Sequence, residues 1–284
     1  MSFFDRGPVV PVLRFTGPIG MVTPLRPGLS LAGVAGLIEK AFNVKKAPAV
    51  AIVINSPGGS PVQSRLIYQR VRDKAKETGK PVYTFAEDVM ASGGYMLACA
   101  GDEIYADPSS VVGSIGVVTA GFGFDKFIAR YDVERRVHTI GKNKATLDPF
   151  RPEDPDDIAR LKSIQKDIHD VFTGLVKESR GDKLNGDEDD LFDGQIWSGT
   201  KAVENGLIDG LSDVRTKMRE LFGEKVKLKV LTKRRGLMGL RMAQMGPDPL
   251  QRLENAAMEG RVDGLADDVI SSLEARSLWA RYGF

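Results

Sequence analysis

The sequence predicts an α/β fold with a mainly parallel sheet, and three observations carry that prediction. Ala49-Val-Ala-Ile-Val-Ile54 is a continuous apolar run, the pattern of a strand buried on both faces. Two Gly-rich turns, Asn55–Ser60 and Met90–Gly94, each follow a strand-like run and open a helical one. Strand, turn and helix then recur in series, which indicates parallel strands joined by right-handed crossovers.

Each element has its own signal. Val9 to Phe15 reads as the first strand. Ser30 caps a helix whose apolar residues, Leu31, Val34, Leu37, Ile38 and Phe42, keep helical spacing. After the second strand and its turn, Pro61 suits the first position of a helix through Val62, Leu66 and Val71, ended by Gly79. Pro81–Phe85 is the next strand, Tyr95–Ala100 a helix after the second turn, and Ile104–Ala106 a short strand. Arg136–Ile140 alternates as a strand does. Pro152–Arg180 is a long amphipathic helix, followed by an acidic loop from Gly181 to Asp190. Gly194–Gly199 turns into a short helix ending at Gly206. Lys225–Met245 carries seven Lys/Arg and no acid, beginning as an alternating strand at Val226, Leu228 and Val230. A helix is expected from Leu265 to Trp279. The expected division is a catalytic domain over 1–223 and a basic, then helical, extension over 224–284.

Composition narrows the chemistry. With 40 Lys+Arg against 38 Asp+Glu the net charge is +2, so bulk charge gives no reason to expect nucleic acid as a partner. One cysteine, Cys99, permits no internal disulfide, and two histidines, His138 and His169, stand outside any HExxH or CxxC arrangement. No metal and no cofactor are expected, and no GxxxxGK[ST] motif is present, so ATP-independent action is expected. Neither a secretory signal nor a transmembrane helix is read, which points to a cytoplasmic or peripherally membrane-associated place.

Ser92 is the leading nucleophile candidate. It lies between a strand and an apolar helix, before two glycines, where backbone N–H groups and the helix N-terminus face whatever the hydroxyl attacks. A serine there also suits a helix cap, and the local sequence leaves both roles open. Gly58-Gly59 lets backbone approach a substrate closely and offers a second oxyanion donor. A nucleophilic serine needs a base. His138 and His169 lack an evident orienting partner. Lys144, at a Gly turn, is the next candidate, with Lys142 its rival; burial favours the neutral amine that a base requires.

In order, Asn55-Ser-Pro-Gly-Gly-Ser60, Ala91-Ser-Gly-Gly-Tyr95, Val112-Gly-Ser-Ile-Gly-Val117, Gly141-Lys-Asn-Lys144 with Asp148-Pro-Phe150, and Gly194–Asp209 resemble the signature of the signal peptide peptidase A family. The resemblance spans about Val10 to Leu221. It implies a ClpP/crotonase-like fold, a repeated β-β-α superhelix with a mainly parallel sheet, and a Ser–Lys serine endopeptidase. By position it makes Ser92 the nucleophile, Lys144 the general base, Gly59 and Gly93 the oxyanion-hole donors, and Ser114 the serine that hydrogen-bonds the lysine amine. Asn143 stands where the family often has an aromatic residue. Well-known members carry an N-terminal membrane anchor, which is not read here, and this sequence has one set of catalytic blocks, as in the short form. Short members form a dome-like ring in which the lysine and the serine belong to neighbouring regions or subunits, so a homo-oligomer is expected, with Ser92 and Lys144 meeting either within one chain or across a subunit boundary. The expected substrates are extended hydrophobic or signal-peptide-derived peptides. A crotonase-type acyl-CoA enzyme and a catalytically inactive scaffold are the alternatives. Residues 225–245 suggest peripheral membrane contact, against a strand plus a solvated linker.

Overall fold

The apolar runs of the N-terminal half become adjacent parallel strands. The structure, a computed structural model, describes residues 7–20, 28–232, 279–280 and 282–283. β1 (Val9–Thr16) leads through α1 (Leu31–Phe42) to β2 (Val50–Ser56), and α2 (Pro61–Thr78) returns the chain to β3 (Val82–Ala91). The register sets Val12 beside Ala51 and Ile52 beside Thr84. Ser30 Oγ accepts from Gly33 N at the start of α1, Ser60 Oγ from Gln63 N at the start of α2, and Gly79 closes α2 at φ +64°.

Alternate residues of β2 serve two cores, which is why its run is apolar without a break. Val50, Ile52 and Ile54 pack with Ile38, Phe42 and Ile67 of the helices on one face. Ala49, Ala51 and Val53 pack with Phe85, Tyr105 and Met218 on the other.

The second half completes the sheet around β3. After α3 (Gly93–Ala98) come β4 (Glu103–Ala106) and β5 (Val111–Gly113), then α4 (Asp125–Arg130), α5 (Pro155–Arg180), α6 (Glu188–Leu191), β6 (Ile196–Ser198), α7 (Gly199–Glu204), β7 (Gly210–Leu211), α8 (Val214–Phe222) and β8 (Lys227–Val230). The strand order is β6-β5-β3-β2-β1-β8, with β4 on β3 and β7 on β4; among the described residues only β5 and β6 run antiparallel. β3 is long enough to hold two partners in turn. Tyr83–Phe85 pairs with β4 and Val89–Ala91 with β5. The far end of β3 therefore runs on beside β5, and the turn that follows β3 meets the turn that follows β5.

Two sequence expectations meet the fold differently. β8 pairs with β1 along Val9–Val12, so the sheet crosses the boundary expected after residue 223. The remainder of the extension up to residue 278, including the helix expected from Leu265, lies outside the described residues. The alternating stretch Arg136–Ile140 forms no strand. It belongs to a largely exposed arm, residues 117–152, where no described strand completes a ladder with it, and alternation alone does not make one. Inside this arm Phe124 stacks on Phe150, Arg135 lies over the Phe150 ring, and Leu147 N donates to Asp157 Oδ2 of α5.

Candidate active site

The turns after β2, β3 and β5 converge on one cleft of about 870 Å³, and Gly59, Ser92, Gly93 and Ser114 all line it. Its volume lies in the range of ligand sites. Met96, Phe172 and Ile196 give it apolar wall, and Asp193 a carboxylate.

Ser92 has φ +52° and ψ −124°, a conformation that non-glycine residues rarely adopt. Such a backbone persists only where its surroundings impose it, at a cost of about 1–3 kcal/mol. Here the imposition is visible. Ser92 N donates to Gly113 O of β5 at 2.8 Å, and Ser92 O accepts from Met96 N in α3 at 3.0 Å. The side chain does not cap α3, and its hydroxyl has no hydrogen-bond partner among the described residues. The helix-cap role that the sequence left open is therefore not the one the fold uses. Ser92 is half-buried and lines the cleft.

Two glycine turns close on it. Gly58 (φ +96°) is so near that a Cβ there would lie 2.7 Å from Ser92 Cβ and 2.8 Å from Gly93 N. Gly59 (φ +139°) is fixed by β1's continuation: Ile19 N donates to Gly58 O and Ser60 N to Ile19 O, both at 2.8 Å. Those bonds leave the Gly59 N–H without an acceptor among the described residues. The Gly93 N–H, first in α3, likewise has none. Gly93 and Gly94 admit no side chain, since a Cβ would fall 2.3 Å from Ser64 Oγ and 2.6 Å from Ser56 O. Two undonated N–H groups and an unengaged hydroxyl thus share one cleft.

Ser114 is also held at positive φ, +53°, and its N–H donates to Gln195 O at 2.6 Å. Its hydroxyl lies 3.3 Å from the Tyr282 phenol oxygen, which is also 3.3 Å from Pro57 O. Lys144 is elsewhere. It lies exposed on the arm, does not line the cleft, and its amine makes no hydrogen bond or ion pair with a described residue. Lys142 is exposed on the same arm. His138 is exposed there too, whereas His169 Nε2 sits 2.8 Å from Phe192 O on the cleft's outer wall. Within one chain the fold gathers Ser92, Gly59, Gly93 and Ser114 and leaves Lys144 apart. Cys99 is fully buried behind α3, and burial pushes its thiol up to about 12, so it is no competing nucleophile.

Sequence reasoning passed over Gly58 as the glycine of closest approach; the doublet Gly58-Gly59 was the signal, but which member faces Ser92 is a matter of packing. It also passed over Tyr282, for which nothing in the local sequence gave a sign.

Comparison with known proteins accords with this cleft. Peptidase family S49 matches residues 74–229, more than half of the chain. The chain belongs to peptidase family S49. The serine peptidase of the signal peptide peptidase A kind expected from the motifs is thus borne out at the level of the family. Among curated relatives, the chloroplastic serine protease SPPA of Arabidopsis thaliana is 31% identical over 219 residues, covering 70% of this chain and 32% of its own. A putative signal peptide peptidase SppA of Enterococcus faecium is 29% identical over 172 residues, 61% of this chain and 49% of that one. A Brucella abortus protein named Na(+)/H(+) antiporter NhaA is 55% identical over 275 residues, 96% of this chain, yet this chain spans only 37% of that protein. A solved structure, a lysine-to-alanine mutant of the 1510-N membrane-bound stomatin-specific protease in complex with a substrate peptide, is similar at TM-score 0.50 and 14% identity, covering 84% of this chain and 98% of that one. This likeness bears on the S49 fold alone, and the expected α/β class with its mainly parallel sheet holds. Among the described residues no helix is long and apolar enough to cross a membrane.

Proposed function

We propose that this S49 chain is an ATP-independent serine endopeptidase in which Ser92 attacks the scissile carbonyl and Lys144 of a neighbouring copy acts as base. The observation that carries the reading is a Ser92 hydroxyl without a hydrogen-bond partner among the described residues, on a backbone at positive φ, in one cleft with the Gly59 and Gly93 N–H groups, which have no acceptor among those residues. Neutral Lys144 takes the Ser92 proton as Oγ bonds to the carbonyl carbon. The Gly59 and Gly93 N–H groups hold the oxyanion, each worth about 2.7–4 kcal/mol by analogy with other such donors. The lysine hands its proton to the departing amine as the C–N bond breaks, leaving an acyl-Ser92 ester. It then takes a proton from the water that attacks the ester and returns it to Ser92 Oγ as the acyl C–O bond breaks, releasing the carboxylic product and restoring the free serine. Ser114 aims the amine.

The placement of Lys144 supports a shared site. An exposed lysine is an ammonium ion in water and cannot serve as base; a covered one is pushed toward the neutral amine. The arm that bears Lys144 exposes Phe122 (81%), Phe127 (61%), Tyr131 (63%) and Ile140 (98%), an apolar surface of the kind an interface covers. A second copy covering this arm brings Lys144 to a cleft whose described lining holds no lysine or histidine. The substrates that fit are extended peptides with apolar side chains against Met96 and Phe172, paired to an exposed strand edge.

The Brucella relative carries the similar stretch as 37% of a chain named for an antiporter, which supports a peptidase unit working beside a membrane. Of the basic stretch 225–245, Lys227 and Lys229 are exposed on strand β8, and the charges from Lys233 to Arg241 lie outside the described residues; together they make the segment that would meet an anionic surface. Flotation with anionic vesicles tests this, equal binding by a variant with those residues neutralised counting against it.

The test of the shared dyad is complementation. Ser92→Ala and Lys144→Ala are each inactive alone on a fluorogenic hydrophobic peptide. Unfolded together and refolded as a mixture, they regain activity, because some clefts then pair an intact serine with an intact lysine. Activity in either variant alone rejects the dyad, and a mixture as dead as its parts rejects sharing between copies.

A further inference from the structure

We propose that Asp193 is a specificity-determining residue of the cleft, its carboxylate taking a lysine or arginine side chain of the bound peptide. This rests on the reading of the cleft as a peptide site and names a substrate class for it; it does not depend on which group serves as base. Among the described residues that line the cleft, Asp193 is the only charged one. Its carboxylate accepts from Gln195 N at 2.8 Å and from Gln195 Nε2 at 2.9 Å, both neutral donors, and makes no ion pair with a described residue. Those bonds leave its charge uncompensated, and each oxygen keeps room for a further donor.

Asp193 stands on a fixed support. Gly194, at φ +95°, comes so close to the turn after β5 that a Cβ on Gly116 would lie 3.1 Å from the Gly194 Cα. Gln195 O accepts from Ser114 N at 2.6 Å, and Ile196 follows at once in β6, paired to Gly113. On the other side Phe192 is buried, with its carbonyl oxygen 2.8 Å from His169 Nε2. A charged group already held in place loses little freedom when it pairs, so more of the attraction appears as selectivity. Met96, Ile168 and Phe172 line the same cleft, and the peptide that fits carries apolar residues beside one cation. A substrate cation suits this carboxylate better than the lysine base does. A carboxylate beside the base favours its ammonium form, which cannot accept the Ser92 proton.

The experiment reads binding to the full-length chain. Fluorescent hexapeptides of Ala and Leu carry one Lys, Gln or Glu, placed at each position in turn, and are titrated by anisotropy into Ser92→Ala. At one position Lys binds more tightly than Gln by about fivefold, the factor of a partly exposed ion pair, and Glu binds more weakly than Gln. Adding Asp193→Asn, which keeps the shape and an acceptor for Gln195 N, makes Lys and Gln equal. Adding Asp193→Lys reverses the order of Lys and Glu. In the active background kcat/KM follows the same order. Peptides that bind with no Lys preference at any position, or with one that survives Asp193→Asn, overturn the assignment alone. A loss in Asp193→Asn that is equal for all three peptides also overturns it, because the residue then supports the fold or meets Lys144 instead. No binding of any peptide overturns the peptide reading and the assignment with it. Failure of the Ser–Lys dyad shows instead as absent turnover with the binding differences intact.

Discussion

Gly58→Ala separates the need for close approach from ordinary glycine strain. At φ +96°, an alanine costs about 1–2 kcal/mol through its backbone alone. The larger effect is steric. Its Cβ would stand 2.7 Å from Ser92 Cβ and 2.8 Å from Gly93 N, where carbon atoms prefer about 3.5–4.0 Å. The turns after β2 and β3 must part by roughly 1 Å, which for a reacting geometry costs about 100-fold. Moving either glycine N–H off the oxyanion has a similar price, about 100- to 1,000-fold in kcat. Gly58→Ala is therefore expected to fold, with stability lowered by about 1–3 kcal/mol, and to lose at least about 100-fold in kcat. The control is Gly79→Ala: Gly79 is also left-handed, at φ +64°, but a Cβ there meets nothing within 4 Å. It is expected to lose about 1 kcal/mol and no activity. Urea unfolding gives the stabilities, and hydrolysis of a fluorogenic peptide at saturation gives kcat. A folded Gly58→Ala protein with kcat within about threefold of wild type refutes the reasoning, because the turns then need not touch.

Other expectations follow from the rest of the fold. Arg180 is buried (3% exposed), with Nε on Gly206 O and Nη1 on Asp209; Arg180→Met is expected to cost about 3–5 kcal/mol in urea unfolding, by leaving Asp209 without its buried partner. Burial raises the Asp209 carboxyl, but bonds from Arg180, Lys183 and Ile104 N–H outweigh it and hold the group below its ordinary value. Its stabilisation is complete above the unfolded value, about 4, and is lost as pH falls through the folded one, so Asp209→Asn makes the acid side of the stability curve shallower; an unchanged slope contradicts this. Cys99 is expected to stay unlabelled by iodoacetamide at pH 8 in the native chain and to react fully in urea, since burial pushes its thiol to about 12. Ile140→Glu on the arm (Ile140 is 98% exposed) is expected to lower oligomer size in light scattering and to abolish activity while leaving the thermal transition of the chain in place.

The sheet was legible wherever burial leaves a pattern. Ala49–Ile54 reads as a strand because its odd and even residues feed two different cores, and Val226, Leu228 and Val230 alternate because β8 is an edge strand. Where order comes from partners distant in sequence, the pattern failed. Arg136–Ile140 alternates without forming a strand because no described strand pairs with it. β7, two residues long, had no signature and exists through its pairing with β4. At the site, the Gly-rich turns marked Ser92, Gly59 and Gly93, since glycine is required where backbones nearly touch. The local sequence left Ser92 open between cap and nucleophile, and the structure shows that its side chain does not cap α3. Lys144 was one candidate base at its Gly turn until the family motif set it ahead of Lys142, and the fold of one chain leaves it away from the cleft. The seat of Tyr282 depends on a fold that joins positions 168 residues apart, which no local pattern encodes.

The most direct measurement is covalent labelling of the assembled protein with a fluorophosphonate, followed by mass mapping of the adduct. The Ser92 hydroxyl, poised between the Gly59 and Gly93 N–H groups, is predicted to take one phosphonyl group per active chain, with labelling abolished in Ser92→Ala and strongly slowed in Lys144→Ala. An adduct on another residue, or labelling that persists in Ser92→Ala, contradicts the assignment of Ser92 as the nucleophile.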